Sequence, residues 1–97
     1  MSAAHAYTQR VPDTARQICV RVRLFAAYRE AAGARALEVP LSSGSTLTDL
    51  TDLLAARIPA LRTAPGLVAL NQTYVTGAAA LQDGDEVAFI PPVSGGA

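Results

Sequence analysis

Apolar and polar positions alternate one for one over residues 18–25. Ile18, Val20, Val22 and Leu24 fall on one side, and Cys19, Arg21, Arg23 and Phe25 on the other. A period of two is that of a β-strand with one buried face, so Phe25 is placed outward with the arginines. Residues 26–33 are good helix formers closed by Gly33, which reaches the left-handed conformation that ends helices without a Cβ penalty. Leu37, Val39 and Leu41 then share one face of a second strand over 36–41, and Ser42-Ser43-Gly44-Ser45 reads as a turn. The period changes after that. Leu47, Leu50, Leu54 and Ile58, with Leu53, recur at spacings of three and four, the stripe of a helix buried in a core. Thr46 is its expected N-cap, and Asp49 three residues on stands where a capping box carries Glu or Gln. Pro59 disfavours helical geometry at Ile58, so the helix is expected to stop near there.

A Pro65-Gly66 turn leads to two short strands, 67–70 and 73–75, around Asn71-Gln72. Asn tolerates positive φ, which suits the turn, while Gln72 leaves the turn type open. A further turn over 81–86 precedes a last strand at 87–90, with Val87 and Phe89 inward and Ile90 on the opposite face. Pro91-Pro92 ends the pairing, because proline brings no ladder donor. Two strands, one capped helix and then further strands predict an α+β fold, in the order of roughly ββαβββ. Three regions are expected: a disordered N-terminal extension at 1–17 with no apolar period, a domain at 18–90, and a flexible tail at 91–97.

Composition narrows the function classes. A chain of 97 residues holds one domain, and 20 of its apolar residues are Ala, so the core is small. Eight Arg, no Lys and eight acidic residues give a net charge of zero with no basic run, which argues against nucleic acid. No apolar stretch reaches the roughly 20 residues that span a bilayer, and no targeting pattern opens the chain. Cys19 is the one cysteine and forms no internal disulfide, which fits a cytoplasmic location. Nothing near Cys19 in sequence lowers its pKa enough to make it a nucleophile. His5 is the one histidine and lies in the extension, so no catalytic triad and no zinc set can be assembled. Asp83, Asp85 and Glu86 read as solvated turn residues, and Asp49 and Asp52 as first-turn residues favoured by the helix dipole. No metal site and no bound cofactor are expected.

What remains is the ending. The last strand runs into two prolines and then Val93-Ser94-Gly95-Gly96. Proline restrains the exit direction, and from Pro91 to Gly96 the extended chain reaches roughly 20 Å. Glycines lack side chains and thread a narrow channel, so this tail suits the delivery of a terminal carboxyl to chemistry held on a partner.

The segment 83–96, DGDEVAFIPPVSGG, resembles the small, sulfur-carrier subunits of molybdopterin synthase, which are ubiquitin-like β-grasp proteins. Leu24-Phe25-Ala26 with Arg29-Glu30, and Val68-Ala69-Leu70-Asn71-Gln72-Thr73, support the resemblance, which covers residues 20–96. It implies a mixed sheet of four or five strands packed on one main helix, and a non-catalytic subunit of a sulfurtransferase complex, without an active site of its own. An activating enzyme resembling ubiquitin E1 uses ATP to adenylate the Gly96 carboxylate, a persulfide donor supplies sulfur, and a thiocarboxylate results. The tail, with Gly95 before the reacting carboxyl, then enters the large synthase subunit, where the sulfur passes to cyclic pyranopterin monophosphate. Two loaded carriers complete a dithiolene in a heterotetramer. The resemblance also implies an apolar partner-binding surface of Phe25, Tyr74 and Ile90, continued by Pro91, Pro92, Val93 and Ser94. Strand alternation independently places Phe25 and Ile90 outward.

One departure matters. The family ends at its second glycine, and here Ala97 follows Gly96. Either a peptidase removes Ala97, or the chain is a precursor or carries an added residue, or it is not a working carrier; processing is the leading expectation. The alternatives for the whole chain are a sulfur carrier for thiamine or cysteine synthesis, a ubiquitin-like protein modifier, and a plain interaction module.

Overall fold

The computed structural model describes residues 16–92, so the expectations for the extension before Arg16 and for the tail from Val93 onward lie outside the described residues. The domain begins earlier than its expected boundary at residue 18. Gln17 already belongs to the first strand, β1 (Gln17–Leu24), and the Arg16 carbonyl accepts the Ser43 N–H at 2.7 Å. After β1 come α1 (Ala26–Ala32), β2 (Ala36–Ser42), α2 (Leu47–Ala55), α3 (Ala60–Thr63), β3 (Leu67–Leu70), β4 (Thr73–Tyr74) and β5 (Glu86–Ile90).

The five strands form one mixed sheet in the order β2-β1-β5-β3-β4. β1 pairs antiparallel with β2, from Gln17 opposite Ser42 to Arg23 opposite Ala36. On its other side β1 runs parallel to β5, with Val22 beside Val87 and Leu24 beside Phe89. First and last strands are thus central neighbours, and both end at the same edge of the domain.

The inner face of the sheet carries Val20, Val22, Leu24, Val39, Leu41, Val87 and Phe89, all buried. Against it pack Leu47, Leu50 and Leu54 of α2, followed by Ile58 and Leu61. The capping box forms as expected: the Asp49 N–H donates to Thr46 Oγ1 at 3.3 Å, and the Thr46 N–H donates to Asp49 Oδ2 at 2.9 Å. Gly33 takes φ +73° and caps α1, its N–H donating to the Arg29 carbonyl.

Two expectations about the helices are corrected. Leu53 is not core; it is 52% exposed. At about 100° per residue it lies roughly a quarter turn off the stripe that Leu47, Leu50 and Leu54 already fill. And α2 ends at Ala55, after which Pro59 opens the short helix α3 instead of only ending the long one. A proline at a helix start lacks an N–H that would have gone unpaired there, and its carbonyl accepts from Arg62 and Thr63 at 2.9 and 3.1 Å. The turn between β3 and β4 is also settled: Asn71 and Gln72 both have positive φ, +50° and +72°, the type I′ geometry that matches strand twist.

Tyr28 has no counterpart among the expected core residues. It is the one large apolar side chain of α1, 1% exposed, and its hydroxyl donates to the Ala64 carbonyl at 2.8 Å. That bond ties α1 to the loop before β3, at the edge where β5 ends.

Candidate functional site

The outer face of the sheet is built by register. Arg23 of β1 lies beside Ala88 of β5, Ala88 opposite Ala69 of β3, and Ala69 opposite Tyr74 of β4. One row toward the end of the sheet, Ile90 lies opposite Leu67. Phe25 follows Leu24, the neighbour of Phe89, in still-extended backbone at φ −126°, ψ 151°, so it continues the outward alternation to the level of Ile90. Two adjacent rows result: Arg23, Ala88, Ala69, Tyr74, and then Phe25, Ile90, Leu67. The alanines leave a shallow floor between large side chains. Tyr74 is 67% and Leu67 56% exposed, while Phe25 and Ile90 are half-buried against their neighbours.

Phe25, Tyr74 and Ile90 are therefore on one face, as expected. Leu67 completes the cluster and is not among the expected residues. Its segment, Leu-Val-Ala-Leu, is apolar at every position, so no alternation indicates which residues face out. Only pairing with β5 shows it.

Two local features hold the cluster in place. Ala26 takes φ +48°, which turns the chain sharply from β1 into α1 directly after Phe25 and costs about 1 kcal/mol for a residue with a Cβ. Arg23 lies over the Phe25 ring, its Cζ 5.4 Å from the centroid, a cation–π contact. On the other side Gly66 backs against the end of β5. A Cβ there would overlap the Ile90 carbonyl oxygen and come within 2.9 Å of the Ile90 carbonyl carbon, so only glycine lets the chain pass so close. Pro91 and Pro92 continue from this point without regular structure; Val93, Ser94, Gly95 and Gly96 lie outside the described residues.

The acidic turn is structural. Asp83 Oδ1 accepts the Cys19 N–H at 2.8 Å, and Asp85 accepts from the Gln82 N–H and from Asn71 Nδ2 at 2.8 and 2.9 Å. Asp52 pairs with Arg62 at 2.9 Å. Cys19 Sγ is 3.3 Å from Glu38 Oε1, and that hydrogen bond to a carboxylate pushes the thiol up from its usual pKa. Among the described residues no group of three His, Cys, Asp or Glu is placed to hold a metal ion.

A mixed sheet whose adjacent first and last strands run parallel over a packed helix, with an apolar outer face beside the strand that leads to the C-terminus, is a ubiquitin-like β-grasp domain. Residues 22–96 match the ThiS family, and the chain belongs to it. It is 40% identical over 86 residues to the molybdopterin synthase sulfur carrier subunit of Arabidopsis thaliana, covering 87% of this chain and 90% of that one. To the subunit of the same name in Escherichia coli it is 42% identical over 81 residues, 79% and 99% of the two chains. Among solved structures, SAMP1 from Haloferax volcanii superposes with a TM-score of 0.68 at 32% identity, covering 79% and 98%.

Proposed function

We propose that this chain is the sulfur carrier of molybdopterin synthase. The observation that carries the reading is the apolar cluster of Phe25, Ile90, Leu67 and Tyr74 at the edge where β5 gives way to Pro91. A surface of this kind on a small domain suits a protein partner, and here it adjoins the origin of the tail. Sequence similarity to sulfur carrier subunits across most of the chain supports the same reading.

In this reading Gly96 carries the chemistry, and activation requires it to be terminal, so Ala97 is removed first. The Gly96 carboxylate attacks ATP on an E1-like enzyme, forming an acyl adenylate and releasing pyrophosphate. A free carboxylate is a poor electrophile and AMP a good leaving group, so the adenylate is open to sulfur. A persulfide displaces AMP, and a thiol reductant splits the resulting acyl disulfide to leave the thiocarboxylate. The tail, from Pro91 through Pro92, Val93, Ser94 and Gly95, then delivers it into the large synthase subunit, where sulfur passes to cyclic pyranopterin monophosphate. ATP is the activating enzyme's substrate, and the carrier itself binds no cofactor. The cytoplasm is the compartment this chemistry calls for, and no helix among the described residues is long and apolar enough to cross a membrane.

A second reading, a protein modifier, is favoured by the likeness to SAMP1, since a solved structure from the same organism is described as a small archaeal modifier protein. The test is the intact mass of the chain after incubation with its activating enzyme, ATP and a sulfur source. A species ending at Gly96 with one oxygen replaced by sulfur is expected. A version truncated at Gly96 that stays unmodified would overturn the carrier reading, and adducts on lysines of other proteins would favour the modifier.

A further inference from the structure

Pro91 leaves from a basic end of a domain in a chain whose formal net charge is zero. Arg23 stands at the end of β1, Arg29 one turn into α1, and Arg35 directly before β2, where its carbonyl accepts the Leu24 N–H at 2.8 Å. All three are exposed, and with Phe25 they line an open hollow of about 310 Å³ that contains no acidic residue. Among the described residues none of the three meets a carboxylate; the contact of Arg23 is with the Phe25 ring. Elsewhere Arg21 pairs with Glu38 at 3.4 Å and Arg62 with Asp52 at 2.9 Å, while Arg57 donates to the Ala32 carbonyl at 3.2 Å. Glu38 and Glu86 stand level with Arg21, two residues along β1 from Arg23, Asp83 and Asp85 lie farther toward the opposite end, and Glu30, exposed after Arg29 in α1, does not line the hollow. A chain with formal charge zero is thus polarised along its central strands, positive where β5 exits.

We propose that Arg23, Arg29 and Arg35 form a second docking element that meets a carboxylate-rich rim on the large synthase subunit, around the opening that admits the tail. This rests on the carrier reading. The hollow is continuous with the apolar rows through Phe25, so a protein surface covers both, whereas a free phosphate would leave the ring wet. Guanidinium groups are weakly hydrated and suit interfacial pairing with carboxylates. Being exposed, they act mainly before contact: opposite potentials raise the rate of encounter and align the partners, and salt screens the effect over about 8–10 Å. The orienting pull brings the basic end, and with it the tail, to face the opening.

The test is stopped-flow association of the full chain with the large subunit from the same organism, across ionic strengths from about 20 to 300 mM, where screening changes most. The triple variant R23Q/R29Q/R35Q is expected to associate about tenfold more slowly at low salt, lose most of the salt dependence, and keep its dissociation rate within about threefold. Arg62→Gln, which removes one charge at a paired site outside the cluster, should behave as the unaltered chain. An unchanged far-ultraviolet dichroism spectrum confirms that the variants fold. The proposal is overturned if the triple variant keeps both rate and salt slope, if Arg62→Gln slows association as much, or if only binding to the activating enzyme suffers. If the unaltered chain forms no complex with the large subunit at all, the carrier reading itself fails.

Discussion

The inner and outer faces of the sheet draw apolar side chains from the same strands, and neighbouring residues serve opposite ends. Phe89 and Ile90 are adjacent in β5, yet Phe89 is 2% exposed in the core while Ile90 stands among Phe25 and Leu67 on the open side. The inner face is closed by this chain's own helices and supplies the stability. The outer face is covered by nothing in the described residues, and its apolar area is left for a partner. Apolar character alone does not distinguish a core from a docking surface; what covers it does.

The largest effect should come from breaking the closed face. Phe89→Ala removes a fully buried aromatic, at a cost of about 3–5 kcal/mol, a large part of the 5–15 kcal/mol that holds a typical domain. Urea unfolding followed by circular dichroism should show a much lower midpoint. A loss below about 1 kcal/mol would mean that the inner face is not the core.

Next come the neighbours on the open face. Phe25→Ala and Ile90→Ala should each change unfolding stability by about 1 kcal/mol or less, since their burial is partial. Each should weaken binding to the large subunit or the activating enzyme by about 2 kcal/mol, roughly thirtyfold, as an interface anchor does. Calorimetry on folded variants checks this. If affinity is unchanged while stability falls by several kcal/mol, the two faces have been assigned the wrong way round.

Much of this division is legible in the order of residues alone. One-for-one alternation over residues 18–25 separates Val20, Val22 and Leu24 from Phe25, and the same rule separates Phe89 from Ile90. The capping box at Thr46 and Asp49 is also readable, because capping is local. The features that are not legible depend on contacts distant in sequence. Leu67 lies in a run with no alternation, and its side is set by pairing with Ile90. Tyr28 is buried because Ala64, far along the chain, presents a carbonyl to its hydroxyl. Leu53 fits the spacing of a helical stripe that three other leucines already fill. The Gly66 approach to Ile90 is likewise invisible until the loop is placed beside β5.

Tyr28 offers a smaller test, at the join between the closed face and the exit edge. Tyr28→Phe keeps the ring and leaves the Ala64 carbonyl unpaired, which should cost about 1 kcal/mol near neutral pH. Burial pushes the Tyr28 phenol above its ordinary value near 10. The folded state therefore favours the neutral phenol. That stabilisation is fully present below about pH 10 and is lost as pH rises through the raised value. The advantage of the unaltered chain over Tyr28→Phe should shrink above pH 10, read as converging thermal midpoints. A gap that stays constant to pH 11 would show that folding does not raise the Tyr28 pKa.

The smallest effect lies on the outer face itself, in its polar half. Cys19 lies six residues before Phe25 on β1, about 20 Å along the strand at 3.3 Å per residue. There it donates its S–H to Glu38 and faces the charge of Asp83, both of which keep the thiol protonated. Only the thiolate is an effective nucleophile, so the carboxylates make Cys19 less reactive, away from the end where an activated carboxyl would form. Glu38→Gln removes the carboxylate and should bring the thiol pKa down, so alkylation of Cys19 by iodoacetamide at pH 8 should quicken by a few-fold, with no change in binding at the Phe25 end. Equal alkylation rates in the two forms would mean that Glu38 does not restrain the thiol, and that exposure alone governs its reactivity.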